Sequence, residues 1–198
     1  MPFFLNMKVG LYFGSFNPIH IGHLAIANYM VEFSDIDELW FVISPQNPEK
    51  SKATLLYDYD RYEMVERAIK GFDTMKASTV EFALPKPSYT IVTLTHLSTI
   101  YKQYEFCLIM GGDNLCTFKK WRNYQYILDN FKLYVYSRPN YDIPSEFKNH
   151  PSVRYFNAPL MEISSSFIRQ SIKKNKNIKA FMPQEAWEYL EKMNFYKT

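Results

Sequence analysis

Apolar and polar residues alternate along the chain in blocks, and the period of the alternation switches between that of a strand and that of a helix. Residues 7–13 place Val9, Leu11 and Phe13 at every second position, which predicts a strand. Residues 22–33 carry apolar side chains at helical spacing and predict a helix. The same patterns predict further strands at 38–44, 77–84, 104–110, 131–136 and 153–156, and further helices at 59–69, 88–101, 121–128, 164–175 and 184–193.

Repeated strand-helix units with apolar strands are typical of a parallel sheet that is covered by helices on both faces. We therefore predict an α/β fold, a Rossmann-like doubly wound and mostly parallel sheet with C-terminal helices. Residues 1–198 would form a single domain, since one hydrophobic core can support this size. Proline-containing segments at 44–57 and 138–151 follow strands directly, at the sheet edge where ligands bind, so both are candidate walls of a substrate site.

Composition excludes several classes of protein. Aromatic residues make up 18% of the 198 residues and hydrophobic residues 47%, which excludes disordered and low-complexity chains. Cys107 and Cys116 lack metal-ligand spacing and are expected to be reduced thiols. Residues 1–5 lack the basic start of a secretion signal, and no stretch approaches the ~20 apolar residues that span a bilayer. We expect a soluble, cytoplasmic protein.

Charge is distributed unevenly along the chain. The net charge is +3, but residues 1–99 sum to −3 and residues 100–198 to +6. This asymmetry suits an anionic ligand bound toward the second half, and a solvated basic face accounts for it equally well.

The segment between the first strand and the first helix, residues 13–23, is FGSFNPIHIGH. Gly14 allows the backbone to approach a ligand closely, and Pro18 stiffens the turn. His20 and His23 are three residues apart, so both project from one face at the start of a helix, where free N–H groups and the helix dipole favour a phosphate. Imidazoles in this place can donate hydrogen bonds to phosphate oxygens as negative charge shifts during nucleotidyl transfer.

The histidine pair is also compatible with a structural role or with a metal site. A lone histidine is most often structural, and two histidines three residues apart can bind a metal ion. A metal site would lack a third ligand nearby, because the remaining histidines of the chain are His96 and His150.

A second candidate anion site lies near the other end of the chain, at residues 163–169, ISSSFIR. Ser164 can cap a helix that begins there, which leaves Ser165 and Arg169 four residues apart on one helix face. A hydroxyl, a guanidinium and a helix N-terminus together suit the β- and γ-phosphates of a nucleotide. Taken alone, the segment is more simply interpreted as an ordinary helix cap beside a surface arginine.

The predicted strand 104–110 is followed by Gly111, Gly112 and Asp113. Paired glycines at a strand end let a flat ligand lie on the backbone, and the aspartate can accept hydrogen bonds from ribose hydroxyls. A tight turn that ends in a helix-capping aspartate fits the same residues.

Residues 87–94, PSYTIVTL, mark the start of another predicted helix. Ser88 would cap this helix, whose first-turn amides would be free to bind a carboxylate or a carboxamide. Alone, the segment indicates only that a helix begins.

The motifs follow one another as GSFNPIHIGH, RYEMV at 61–65, PSYTIVTL, GGDNL followed by Trp121, and ISSSFIR. In this order they resemble the bacterial nicotinate-nucleotide adenylyltransferases of the HxGH nucleotidyltransferase superfamily, over nearly the whole chain. The resemblance implies adenylyl transfer from ATP to nicotinate mononucleotide, which gives deamido-NAD and pyrophosphate in NAD biosynthesis. It also implies Mg²⁺ as a cofactor, shared among the ATP phosphates.

The resemblance further implies roles for individual residues. Catalysis is assigned to His20, His23 and Arg169. ATP binding is assigned to Gly14, Ser15, Phe16, His20, His23, Gly111, Asp113, Ser165, Phe167 and Arg169. Binding of nicotinate mononucleotide is assigned to Asn17, Lys50, Ser88, Thr90, Trp121, Arg122 and Arg138.

The chain departs from the usual family pattern in two motifs. Phe13 and Asn17 replace the glycine and the aspartate that are usual in the first motif, and residues 47–50, NPEK, replace a loop that commonly ends in Pro-Pro-His-Lys. Without that histidine, only Lys50 is retained in this loop as a phosphate contact. Arg122 stands where aromatic residues are frequent, and its charge would favour nicotinate over nicotinamide.

Further functions are compatible with the same motifs. The acceptor could be nicotinamide mononucleotide, or the chain could be another small HxGH transferase that acts on phosphopantetheine or glycerol phosphate. A non-enzymatic alternative is a basic RNA-binding module that uses Lys173, Lys174, Lys176 and Lys179. We expect ATP and nicotinate mononucleotide as partners, with no nucleic acid and no membrane, and the sequence leaves a homo-oligomer open.

Overall fold

The parallel sheet that the hydrophobic pattern predicts is present in a computed structural model of the chain, which describes residues 6–45, 55–159 and 161–197. Its strands are β1 (Met7–Gly14), β2 (Glu38–Ile43), β3 (Met75–Ser78), β4 (Tyr104–Gly111), β5 (Lys132–Tyr136) and β6 (Val153–Phe156). They form one sheet in the order β3-β2-β1-β4-β5-β6, and every neighbouring pair is parallel. This order is that of a doubly wound, Rossmann-like sheet, so the predicted fold class is confirmed.

Seven α-helices of the described residues connect the strands and cover the sheet. They are α1 (Ile21–Phe33), α2 (Asp58–Ala68), α3 (Thr90–Ile100), α4 (Gly112–Thr117), α5 (Tyr124–Asn130), α6 (Ser165–Lys173) and α7 (Gln184–Lys192). Within these described parts of the chain, no helix has the length and apolar character needed to cross a membrane.

The central strand β4 shows why the sheet is buried on both faces. Phe106, Leu108 and Met110 pack into the core under α3, α4 and α5, whereas Cys107 and Ile109 pack into the core under α1, α2, α6 and α7. Successive strand residues point to opposite faces, so a strand that is covered on both sides has a continuous apolar sequence. Each large aliphatic side chain buried in this way stabilises the fold by about 1.5–3 kcal/mol.

One predicted strand, 77–84, is largely wrong. The strand there is β3, and Val80–Phe82 form a 3₁₀ turn instead of continuing it. The turn directs the Glu81 carboxylate inward, where Oε1 accepts a hydrogen bond from the Thr93 hydroxyl at 2.7 Å. A tertiary contact therefore overrides a strand-like local pattern.

The predicted helix 121–128 begins too early. Trp121 follows a 3₁₀ turn at Phe118–Lys120, and Asn123 has a left-handed φ of 53°, so the helix starts only at Tyr124. Asparagine is one of the few residues other than glycine that adopt this conformation readily. As a result, Trp121 and Arg122 lie in the loop before α5 rather than on the helix.

The sheet changes winding direction between β1 and β4, its two central strands. Residues 15–20, called here the first turn, leave the carboxyl end of β1, and α4 begins at Gly112 directly after β4. Of the two interpretations of Gly111, Gly112 and Asp113, the tight turn ended by a capping aspartate does not hold, because Gly111 is the N-cap and Asp113 lies in the first turn of α4. In doubly wound sheets the crevice at this switch point is the usual ligand site.

Candidate active site

A buried arginine holds the first turn at its start. The Arg61 side chain is completely buried on α2. Its Nη1 atom donates hydrogen bonds to the carbonyl oxygens of Ser15 at 2.6 Å and Ser44 at 3.0 Å, and Nε donates to the carbonyl of Leu56 at 3.1 Å. Its Nη2 atom forms an ion pair with Asp58 at 2.7 Å. One guanidinium thus joins three segments of backbone.

The second sequence motif meets the first turn from the other side. The Ser165 hydroxyl donates to the Pro18 carbonyl at 2.8 Å, a contact between residues 147 apart in the chain. Arg169 Nη1 donates to the Asn17 carbonyl at 2.7 Å. The two motifs that are predicted to bind one nucleotide therefore meet in space, and part of what Ser165 and Arg169 do is to hold the turn.

The predicted helix cap at the start of α6 is confirmed. The Ser164 hydroxyl accepts a hydrogen bond from the Phe167 amide at 3.2 Å. Phe167 itself is exposed and packs edge-on against Phe181, with ring centroids 5.5 Å apart. Its ring therefore has a solvent-facing side, which is compatible with the adenine contact that the sequence assigns to it.

The two histidines of the first motif stack on one another at the start of α1. The ring centroids of His20 and His23 are 3.7 Å apart, and the His20 amide donates to Nδ1 of His23 at 3.3 Å. Gly22 makes room for this arrangement, because a Cβ at that position would lie 3.0 Å from Nδ1 of His20. The predicted placement of both imidazoles on one face of the helix start is confirmed.

His20 is held as a neutral imidazole. Its side chain is buried, and within the described part of the chain Nδ1 has no hydrogen-bond partner. Burial, together with the nearby positive charge of Arg138, lowers the pKa of His20 to about 4. At pH 7 the ring is therefore uncharged and can donate a hydrogen bond to an oxygen that gains negative charge.

The depressed pKa of His20 predicts a specific loss of stability in acid. The unfolded chain binds this proton near pH 6.5 and the folded chain only near pH 4, so the stabilising contribution is complete above pH 6.5 and is lost as the pH falls through this window. The shift corresponds to about 3 kcal/mol. We expect urea unfolding at pH 7.5 and pH 4.5 to show a larger acid loss for the wild type than for His20→Asn. An equal loss in the two proteins would contradict the neutral buried ring.

The carboxyl ends of β4 and β5 bring two further predicted residues together, and one of them, Arg138, is near enough to His20 to lower its pKa. Arg138 Nε and Asp113 Oδ1 lie 3.7 Å apart, and within the described ranges neither atom has a hydrogen-bond partner. The Arg138 guanidinium also lies 5.3 Å from the centre of the Tyr136 ring. A Cβ on Gly111 would come within 3.2 Å of the Arg138 side chain, so the glycine admits this arginine. Arg138, assigned from sequence to the mononucleotide, thus lies with the residues that are assigned to adenosine.

Four residues that the sequence assigns to the mononucleotide meet in one cavity of about 210 Å³. Ser88, Thr90, Trp121 and Arg122 all line it, and Gly14 connects it to the first turn. Polar side chains and an indole ring that line one cavity suit a flat, charged heterocycle.

Arg122 places a positive charge at the cavity, beside the ring of Tyr89. Its guanidinium lies 5.0 Å from the centre of the Tyr89 ring, and both side chains line the cavity. A planar cation can donate two parallel hydrogen bonds to a carboxylate but not to a carboxamide. The arrangement supports a preference for an acid over an amide.

The predicted capping role of Ser88 is wrong. Helix α3 begins at Thr90 with Tyr89 at its N-cap, and neither makes a side-chain cap bond. Ser88 lies before the cap, in the segment that carries a cis Lys86–Pro87 peptide bond, and lines the cavity instead. The first amides of α3 keep the orientation expected for binding an anion.

The comparisons with known proteins identify the family to which the chain belongs. The cytidylyltransferase-like family pattern matches residues 11–171. A relative in Flavobacterium johnsoniae, described as a probable nicotinate-nucleotide adenylyltransferase, is 53% identical over 96% of this chain and all of its own length. A second, from Christiangramia forsetii and described in the same words, is 50% identical over 98% of this chain and all of its own. The chain belongs to the nicotinate-nucleotide adenylyltransferase family.

Solved structures show the same fold. A nicotinic acid mononucleotide adenylyltransferase of Plasmodium falciparum, in complex with NaAD, superimposes with a TM-score of 0.81 at 22% identity, covering 96% of this chain and 97% of its own. The same Plasmodium enzyme with APC gives a TM-score of 0.80. At this identity the likeness concerns the arrangement of strands and helices.

In the first motif, residues 13–23, the side chain of Phe16 belongs to the hydrophobic core. Its ring is buried and packs edge-on against His23 at 5.2 Å and Phe41 at 5.4 Å. A Cβ on Gly14 would lie 2.7 Å from that ring. The small residue at position 14 therefore admits the Phe16 ring, and close approach of a ligand to Gly14 stays a prediction. Because the ring is buried, the phosphate contact that the family resemblance implies for Phe16 would have to come from its backbone.

Asn17 of the same motif uses its side chain to bind other parts of the protein. Its Oδ1 atom accepts hydrogen bonds from the Tyr196 hydroxyl at 2.7 Å and from the Leu56 amide at 3.2 Å. The residue is buried. Its predicted contact with the mononucleotide has no support from these partners, and Lys50 lies outside the described residues.

Sequence reasoning missed Glu81. This carboxylate is buried, lines the cavity beside Ser88, and has one oxygen, Oε2, that lacks a partner among the described residues. Burial raises the pKa of Glu81, while the Thr93, Ser44 and Ser88 hydroxyls oppose the rise. The available signal was a glutamate inside the apolar run VEFAL, which only a buried role explains.

Proposed function

We propose that this protein transfers the adenylyl group of ATP to nicotinate mononucleotide and so forms deamido-NAD and pyrophosphate in NAD biosynthesis. The observation that carries the proposal is that Ser165 and Arg169 bond to the first turn, which is adjacent to a cavity lined by Trp121 and Arg122. The residues proposed to bind the phosphates of ATP therefore lie next to the cavity proposed to bind the pyridine ring. The names of the bacterial relatives and the NaAD bound to the Plasmodium neighbour support the same reaction.

The reaction joins a phosphate oxygen of the mononucleotide to the α-phosphorus of ATP and breaks the bond from that phosphorus to the bridging oxygen. Pyrophosphate leaves with the electrons of that bond. The attacking phosphate is largely ionised at pH 7, because its second pKa is about 6, so no residue must remove a proton. Positioning and charge stabilisation then provide the catalysis.

The residues of the first turn fit this requirement. His20 is neutral, and its ring N–H can donate a hydrogen bond to the α-phosphate as negative charge develops there. Arg138 supplies positive potential at the same place, since its charge contributes to lowering the pKa of His20. His23 stacks on His20 and fixes the ring plane.

Mg²⁺ belongs with the nucleotide in this scheme. Among the residues that the structure describes, no three His, Cys, Asp or Glu side chains are grouped to hold a metal ion. These residues do not build a protein-held site, so we propose that phosphate oxygens of ATP hold the ion and bring it as part of the substrate. No step above depends on it.

The proposed function is tested by measuring pyrophosphate release from ATP with nicotinate mononucleotide, nicotinamide mononucleotide and phosphopantetheine in turn. We expect release with the pyridine nucleotides and preference for the acid. Preference for phosphopantetheine, or no release with any acceptor, would overturn the assignment. RNA binding that falls steeply with salt and is unaffected by loss of His20 would identify the non-enzymatic alternative.

Arg122 provides a sharper prediction about the acceptor. We expect Arg122→Gln to raise KM for nicotinate mononucleotide by about 10- to 100-fold, because a charge-assisted bidentate contact contributes roughly 1.5–3 kcal/mol. KM for nicotinamide mononucleotide should change little. The control is Lys120→Gln, which removes the other cation that lines the cavity. Equal effects of Arg122→Gln on the two acceptors would show that Arg122 does not select the acid.

A further inference from the structure

Side chains from distant elements hold the first turn, between β1 and α1, by donating hydrogen bonds to its backbone. Arg61, Arg169 and Ser165 donate to three of its carbonyls, at 2.6–2.8 Å. One further contact reaches the turn through a side chain: the Tyr196 hydroxyl donates to Oδ1 of Asn17 at 2.7 Å, across 179 residues of chain.

The backbone around Tyr196 adopts an unusual conformation. It lies beyond the end of α7, and both Asn194 and Tyr196 have left-handed φ angles, of 54° and 62°. A tyrosine rarely adopts this conformation, and it persists only where surrounding contacts over-determine it. The hydrogen bond from Tyr196 to Asn17 forms with the backbone in this left-handed conformation.

Burial keeps Tyr196 a hydrogen-bond donor. Burial raises the pKa of Tyr196, and the two arginines that hold the first turn, Arg169 and Arg61, only partly oppose that rise. The phenol therefore keeps its proton at physiological pH, and its hydrogen bond points at the amide oxygen of Asn17. That oxygen also accepts from the Leu56 amide, so Asn17 is fixed from two directions.

We propose that Tyr196 is a positioning residue for adenylyl transfer, which acts through Asn17 on the first turn and so on the orientation of His20, three residues further along. This inference rests on the proposed function. A group at the α-phosphate contributes fully only when its geometry is held to within a fraction of an ångström. Loss of the Tyr196 hydroxyl should therefore weaken the transition-state contact more than it weakens binding of either substrate.

The test compares two tyrosines that are close in sequence. Tyr196→Phe removes the hydroxyl that reaches Asn17, and Tyr189→Phe removes one that donates to Asp60 on α2 at 3.0 Å, outside the first turn. We expect Tyr196→Phe to lower kcat roughly tenfold, with KM for both substrates within about twofold of the wild type. Tyr189→Phe should retain wild-type kcat, while both variants lower Tm by a similar small amount.

A double-mutant cycle tests whether Tyr196 affects kcat through its hydrogen bond to Asn17. In an Asn17→Ala background, Tyr196→Phe should lower kcat no further, because the acceptor of its hydrogen bond is gone. Equal kcat for Tyr196→Phe and Tyr189→Phe would overturn the inference, and so would a full additional loss in the Asn17→Ala background. Absence of pyrophosphate release by the wild type would instead refute the proposed function, so the two failures are distinguishable.

Discussion

Replacing His20 with alanine is expected to lower kcat by about 10²- to 10³-fold, the range found when one preorganised donor to a developing oxyanion is removed. The expectation follows from the buried, neutral state of the ring and from its place at the start of α1, where free helix N–H groups favour an anion. Because the contact strengthens as the α-phosphate gains charge, KM for ATP should change much less than kcat.

His96 provides the matched control for this experiment. It lies exposed on α3, so His96→Ala removes an imidazole without altering the first turn. Pyrophosphate release at saturating substrates, with Tm measured for both variants, separates a chemical effect from a folding defect. A His20→Ala enzyme with wild-type kcat would disprove the proposed mechanism.

The second large effect concerns stability. Arg61→Leu should destabilise the protein by about 3–5 kcal/mol, because it leaves a buried network without its charged centre. The carbonyls of Ser15, Ser44 and Leu56 lose their donor and Asp58 loses its ion pair. For a chain of this size the loss corresponds to a Tm lower by roughly 6–20 °C.

Arg67 is the control, since it lies on the same helix and also pairs with a carboxylate, Glu63, at 2.7 Å, but both side chains are about 40% exposed. Exposed pairs contribute at most about 1 kcal/mol, so Arg67→Leu should shift Tm only slightly. Thermal unfolding of the two variants and the wild type decides the matter. Similar Tm values for Arg61→Leu and Arg67→Leu would show that the buried guanidinium does not hold the network.

The sequence predicts those parts of the protein whose signals are local. The two stacked histidines, the cap at Ser164 and the four cavity residues are each recognisable from spacing or from the family motif, and the structure places them together. The fold class is predictable for a similar reason. Each strand is buried on both faces and so carries its own apolar run.

The features that escape prediction depend on contacts between distant segments. Glu81 looks like part of a strand until Thr93 is placed beside it. Arg138, far from Asp113 in the predicted elements, lies 3.7 Å from it in the structure, a contact that only the folded chain reveals. The network around Arg61 joins carbonyl groups, which carry no sequence signal at all.

Arg61 also has a consequence for how such enzymes can diverge. Its guanidinium holds the carbonyls of Ser44 and Leu56, which lie on either side of segment 46–54, together with that of Ser15 in the first turn. Length and sequence between those two anchors can therefore differ among relatives while Arg61 still holds the first turn. The substitution of NPEK for the usual histidine-containing loop is the kind of variation that this separation permits.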